Sequence, residues 1–152
     1  MKKTPLNKVS KNEVKKTIAK LVKISHDFIR HRDSTQEYEL KGKCFDCGKI
    51  AEGQHFQCGH FIPDSVGGAI LRFHPHNMHG QASGCNMSFV QERVKIDYTF
   101  AMIKKYGKTR VEKLRQLKNK TIKADIIFYN KMIELYEQGD EQDIVYYLEH
   151  LI

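Results

Sequence analysis

All four cysteines of this chain and five of its eight histidines fall between residues 44 and 86, and this segment limits the possible folds more than any other. It lacks helical periodicity and is dense in turn signals: Cys47-Gly48, Pro63, Gly67-Gly68, Pro75 and Gly80. An irregular stretch of this size buries little apolar surface, and a bound metal can supply the missing folding free energy. Cys44-Phe45-Asp46-Cys47-Gly48 reads as a knuckle in which two thiolates three residues apart share one zinc, with Gly48 allowing the turn behind them. A tetrahedral site needs two more ligands, and Cys58 and Cys85 are the remaining thiols. Four buried free cysteines are the alternative.

Helices are expected on both sides of this segment. Ser10-Lys11-Asn12-Glu13 has the form of a capping box. Val14, Ile18, Leu21, Val22, Phe28 and Ile29 follow at helical spacing, which predicts an amphipathic helix over 11–31 with Lys15, Lys16, Lys20 and Lys23 on its other face. Residues 33–43 read as a polar loop. Two short strands are expected around 54–62 and 70–73. From Asn86 the pattern is helical again through Val90, Val94, Tyr98, Ala101 and Met102, with a stop at Tyr106-Gly107. Thr109-Arg110-Val111-Glu112 looks like a second capping box, opening a helix through Val111, Leu114 and Leu117. Ile122, Ile126, Tyr129, Ile133 and Tyr136 form a seam ending at Gly139, suited to intramolecular packing or to a homodimer. Asp140 should cap a last helix carrying Ile144, Tyr147, Leu148 and Leu151.

The 152 residues suit a single domain (1–152): a basic helix at 10–32, a core at 44–106 and C-terminal helices at 109–152. The net charge of +8 is unevenly placed. Residues 1–32 hold ten Lys or Arg against two acids, residues 103–123 hold nine against one, and residues 124–152 hold one lysine against seven acids. Clustered cations of this kind neutralise phosphates with counterion release, which points to a nucleic-acid partner. No apolar stretch follows the basic start, and no run approaches the ~20 apolar residues of a membrane span. A cytoplasmic protein is expected, in which cysteines serve metal rather than disulfides.

The chemistry is concentrated in Gln57-Cys58-Gly59-His60-Phe61-Ile62-Pro63, Gly67-Gly68, Leu71-Arg72-Phe73, Asn77 and Cys85-Asn86. Phosphodiester hydrolysis needs a base for water and a cation for the phosphate. A histidine suits the first task and oxygen ligands on a hard divalent ion suit the second. His60 at a strand end, Asn77 in a loop and Asn86 opening a helix can converge on one point.

This spacing resembles the HNH (ββα-metal) endonucleases: a CxxC knuckle, a histidine followed by an apolar residue and proline, Gly-Gly, Asn, and finally Cys-Asn. It is more closely similar to the phage recombination proteins of the NinG/Rap type. That resemblance runs through Phe28-Ile29-Arg30-His31-Arg32-Asp33, Gly59-His60-Phe61, Leu71-Arg72-Phe73, Asn77-Met78-His79, Gln81, Cys85-Asn86, Tyr98 and Tyr106-Gly107, over roughly residues 10–115. It implies an α+β fold in which a small zinc-knuckle ββα-metal core is flanked by N- and C-terminal helices. It also implies a nuclease acting on branched or single-stranded DNA in recombination. By the resemblance His60 is the general base, Asn77 orients it, and Asn86 binds a catalytic Mg²⁺ or Mn²⁺.

Two positions depart from the family pattern. Gly59 stands where many HNH proteins have a metal-binding acid. The NinG/Rap family usually carries the glycine too, with an acid, histidine or glutamine three positions before the histidine, the slot that Gln57 fills with a neutral carbonyl. Gln57 is therefore the expected second ligand of the catalytic ion, with Asp64 and His55 as substitutes. Ala82 replaces the first cysteine of the usual Cys-x-x-Cys-Asn, while Cys58 stands where alanine is common. The expected structural zinc site is thus Cys44, Cys47, Cys58 and Cys85, with His79 as rival for the fourth place. Arg72 is expected as a DNA-phosphate clamp beside Lys15, Lys16, Lys20 and Lys23. The competing functional readings are a zinc-stabilised, non-catalytic DNA-binding protein and a partner-binding protein whose acidic tail masks its basic helices.

Overall fold

The hydroxyl of Ser10 accepts a hydrogen bond from the Glu13 backbone N–H at 3.1 Å, satisfying one free donor of a first helical turn. The helix it opens, α1, spans Lys11–Asp33 and buries Leu21, Ser25 and Ile29. The computed structural model describes residues 9–87 and 91–151, and only the backbone of 91–94. Val90 and the side chain of Val94, both expected on a helix face, lie outside the described residues.

Part of the expected polar loop at 33–43 is a strand. β1 (Lys41–Lys43) pairs antiparallel with β2 (Ile50–Glu52), and the knuckle is the turn between them. The central pair is β3 (Phe56–His60) with β4 (Met78–Ala82), also antiparallel, placing Phe56 opposite Ala82 and His60 opposite Met78. The strand expected at 70–73 does not form. Asp64–Arg72 is a helix, α2, broken at Gly68, where φ is 68°. Ile70, Leu71 and Phe73 are all buried, and a short apolar run of this kind serves a buried helical turn as well as a strand.

Four helices complete the chain: α3 (Gln91–Tyr106), α4 (Lys108–Leu117), α5 (Ile126–Gln138) and α6 (Glu141–Glu149). Thr109 is not a cap; α4 starts one residue earlier, directly after Gly107 at φ 84°. Val111, Leu114 and Leu117 are buried as expected. Asp125 caps α5 and Asp140 caps α6, each accepting two backbone N–H bonds. Gly139 closes α5 at φ 78°, the left-handed conformation that glycine adopts without steric cost. α5 packs along α1, with Tyr136 edge-on to Phe28 at 5.3 Å and its hydroxyl donating to Phe73 O. The α5 seam therefore serves packing within the chain.

The segment Phe28-Ile29-Arg30-His31-Arg32-Asp33 is the hub of the fold. Ile29 is buried in the core. Arg30 donates to the carbonyls of Phe56 and Gly53 at 2.7 and 2.8 Å. Arg32 donates to the carbonyls of Pro75 and Met78 and forms a two-pronged pair with Asp33. Asp33 in turn accepts the Gly80 N–H at 2.7 Å. One end of α1 thus holds both strands of the central pair through charge-assisted bonds, which are stronger than neutral ones.

Candidate functional site

The thiols of Cys44, Cys47 and Cys85 lie within 4.8 Å of one another. Tetrahedral thiolates on zinc, at Zn–S ~2.3 Å, stand ~3.8 Å apart, so the donor set fits a zinc ion. Gly48, at φ 72°, turns the chain behind Cys47, and the Gly48 N–H donates to Cys44 O at 2.9 Å. Cys85 comes from the turn after β4, its N–H bonded to Ala82 O. Burial pushes the Cys44 thiol up, aided by Asp46. Burial acts the same way on Cys47, but the Lys49 backbone N–H and the neighbouring thiols outweigh it and bring that thiol down.

Neither expected fourth ligand joins this cluster. Cys58 lies on β3 with its side chain buried, on the opposite strand face from Gln57 and Gly59, and burial pushes its thiol up to about 12. His79 is fully buried, with its ring nitrogens bonded to the hydroxyls of Tyr98 and Tyr106 at 3.0 and 2.8 Å. It stacks on Phe45 at 3.8 Å and packs the knuckle onto β4. Asp46 Oδ1 accepts from Cys44 Sγ at 2.9 Å and from Gln81 Nε2 at 3.0 Å, but it does not converge with all three thiols.

His60 stands at the end of β3, half-buried, with Nε2 2.9 Å from Arg72 O. A carbonyl oxygen only accepts, so Nε2 carries the hydrogen and Nδ1 is left as the basic nitrogen. Burial lowers the His60 pKa, partly offset by this bond, so the ring is neutral at pH 7. His60, Phe61, Gln81, Asn86, Lys95 and Tyr98 line a cavity of about 80 Å³, room for a few waters.

Asn77 does not touch the His60 ring. It is fully buried, its Oδ1 accepts the Ile62 N–H, and its Nδ2 donates to the carbonyls of Ile62 and Leu71, each at 2.9 Å. It thereby ties the chain just after His60 to the chain just before Arg72, whose carbonyl holds the imidazole. Its influence on His60 runs through the backbone.

Asn86 sits in a bend, before the first described residue of α3, and its Nδ2 donates to Gln57 Oε1 at 3.1 Å. The two amides expected to hold an ion are thus brought together. Gly59 between them has a steric reason: a Cβ there would collide with Gln81 Oε1 and come within 2.9 Å of Asn86 Oδ1. A side chain there would have to displace the Gln81 amide, which is buried and bonded to Asp46. Among the described residues, the knuckle is the one place where three His, Cys, Asp or Glu side chains converge. The substitutes lie elsewhere: Asp64 is 3.6 Å from Arg72, and His55, bonded to Ser83, precedes β3 at the end away from His60.

Lys15, Lys16, Lys20 and Lys23 are exposed, Lys20 facing Glu137 and Lys23 facing Asp27. Arg72 is partly exposed and paired with Asp64. Three further cations escaped the sequence reading: Lys95, Arg115 and Lys118 line a groove of about 770 Å³ that adjoins the His60 cavity at Phe61 and Pro63. His26 also escaped it; its ring meets that of His60 edge-on, with centroids 5.8 Å apart.

The family model of the bacteriophage lambda NinG protein matches residues 2–142. The chain belongs to the NinG family. Searches of curated proteins and of solved structures gave no match. The match to the NinG family ends at the first turn of α6, so Glu149 lies beyond it. That residue bonds His74, Arg110 and Lys113 and ties the C-terminal helix to α4 and to the loop before Asn77. No described helix of this NinG-family chain is long and apolar enough to cross a membrane.

Buried imidazoles make the fold acid-sensitive. Burial lowers His26 and His74 to about 4 and depresses His60 and His79, against about 6.5 in an unfolded chain. The unfolded state binds more protons between those values, so stability is full above pH 6.5 and falls as pH drops towards 4. Urea midpoints should fall from pH 7 to pH 5, with zinc content measured alongside. A flat profile with zinc retained would show that these rings are not held neutral.

Proposed function

We propose that this NinG-family chain is a metal-dependent DNA endonuclease of the HNH (ββα-metal) class, hydrolysing phosphodiester bonds in branched or single-stranded recombination intermediates. The observation that carries the reading is the His60 imidazole, fixed with Nε2–H on Arg72 O, which leaves Nδ1 as the basic nitrogen. The order β3, β4, α3, with a three-cysteine cluster beside it, supports the class. A divalent ion in such a site stabilises charge on the phosphate and the leaving oxygen. The side-chain oxygens of Gln57 and Asn86 are the donors these amides offer it. His60 takes the proton of the attacking water, while Lys95, Arg115 and Lys118 line the adjoining groove, where phosphates of the strand can lie.

The test is a panel of linear, flapped, D-loop and four-way-junction DNA with Mg²⁺, Mn²⁺ or EDTA. The expected result is cleavage of branched or single-stranded forms that EDTA abolishes. Salt-sensitive binding without cleavage under either ion would leave a zinc-stabilised, non-catalytic DNA-binding protein.

The α1 lysines should add sequence-independent affinity. Replacing Lys15, Lys16, Lys20 and Lys23 with Gln is expected to weaken binding to every DNA sequence. The slope of log K against log salt should flatten by up to ~0.9 per lysine that meets a phosphate. An unchanged slope would identify this face as solvated surface.

A further inference from the structure

Seven of the eight histidines engage at least one ring nitrogen in a hydrogen bond. His26 is the exception among the described residues. It is partly buried, edge-on to the His60 ring and within the fields of Arg72, Asp27 and Asp64. It also lines the cleft of about 720 Å³ between α1 and β3 that Gln57, Cys58 and Asn86 line. No buried side-chain nitrogen or oxygen among the described residues lacks a hydrogen-bond partner, so the His26 ring nitrogens are open to a ligand in the cleft rather than sealed in the core. The same cleft is lined by the amides of Gln57 and Asn86, which are hydrogen-bonded to each other, and Gly59 puts no side chain between them.

We propose that His26 supplies an imidazole nitrogen to the divalent ion held by the side-chain oxygens of Gln57 and Asn86, beside the free edge of β3. The proposal rests on the reading of those two amides as ion ligands. A nitrogen ligand shifts preference from Mg²⁺, which favours oxygen, towards transition ions such as Mn²⁺ and Co²⁺. α1 then contributes to the reaction as well as to the scaffold. His60 stays outside the ion's ligand set and keeps its Nδ1 for water.

The test uses the full zinc-loaded chain with Mn²⁺ alone as the probe. Pulsed EPR on bound Mn²⁺ in the wild type should show coupling to an imidazole nitrogen. His26→Gln should remove that coupling and weaken Mn²⁺ binding by ~10-fold or more, with a smaller effect on Mg²⁺. His60→Ala should keep the coupling. Absence of nitrogen coupling in the wild type, which needs no variant to fold, overturns the proposal. So does coupling that survives His26→Gln or vanishes with His60→Ala. These outcomes are separable from the nuclease reading. Nitrogen-coordinated Mn²⁺ with no strand cleavage supports the ion site and sinks the nuclease; cleavage that needs His60 while His26→Gln binds Mn²⁺ normally does the reverse.

Discussion

His60→Ala is expected to slow divalent-dependent strand cleavage by ~10²-fold or more, the range for loss of a general base. DNA affinity, zinc content and the folded spectrum should stay near wild type. A base acts on the transition state and contributes little to binding the substrate, so the loss belongs in the rate. The Arg72 carbonyl loses a donor, which costs about 1 kcal/mol of stability. Burial holds the His60 pKa below its ordinary value, so the acid limb of wild-type kcat/KM should lie below pH 6.5 and vanish in the variant. Asn86→Ala should lose activity and regain part of it at raised Mn²⁺, because mass action fills a weakened site. The control is His55→Ala, whose ring meets Ser83 at the far end of β3. If His60→Ala cuts the best substrate as fast as wild type, the enzyme reading gives way to the non-catalytic one.

The helices were legible because their signals are local. Ser10, Asp140 and the apolar spacing of α1, α4 and α6 each act within a turn or two, and the structure follows them. β4 was not legible for a physical reason. Met78-His79-Gly80-Gln81-Ala82 has no alternation of apolar and polar residues, because its polar side chains are buried and satisfied by partners far away in sequence. His79 is bonded by Tyr98 and Tyr106, and Gln81 by Asp46. Gly80 is there because the Phe56 ring occupies the space a Cβ would need. The run at 70–73 had the stronger strand pattern and became a helix.

In the candidate site, His60, Asn86 and Gln57 carried recognisable spacing, and the structure brings Asn86 against Gln57. The pairing of His26 with His60 left no trace in the sequence, since it depends on how α1 lies along β3. Cys58 misled because counting thiols ignores direction: alternation along β3 turns position 58 away from the face of 57 and 59.

Metal analysis should find one tightly held zinc per chain, and Cys44→Ser or Cys85→Ser should unfold or aggregate the protein. Structural zinc contributes ~10–16 kcal/mol in small zinc-dependent folds, as large as the whole ~5–15 kcal/mol stability of a typical domain. The knuckle is joined to β4 by the Phe45 N–H on Gly80 O at 2.9 Å and by the Phe45–His79 stack. Losing the ion frees the β1–β2 turn from the end of β4 and exposes His79, whose buried ring is held neutral there. Cys58→Ser should keep its zinc, because its thiol stands apart from the other three, and should lose stability only through the buried hydroxyl. His79→Ala should also keep zinc but melt earlier, having lost a stacked ring and the partner of two tyrosines. Zinc lost from Cys58→Ser but retained by Cys85→Ser would reverse the ligand assignment.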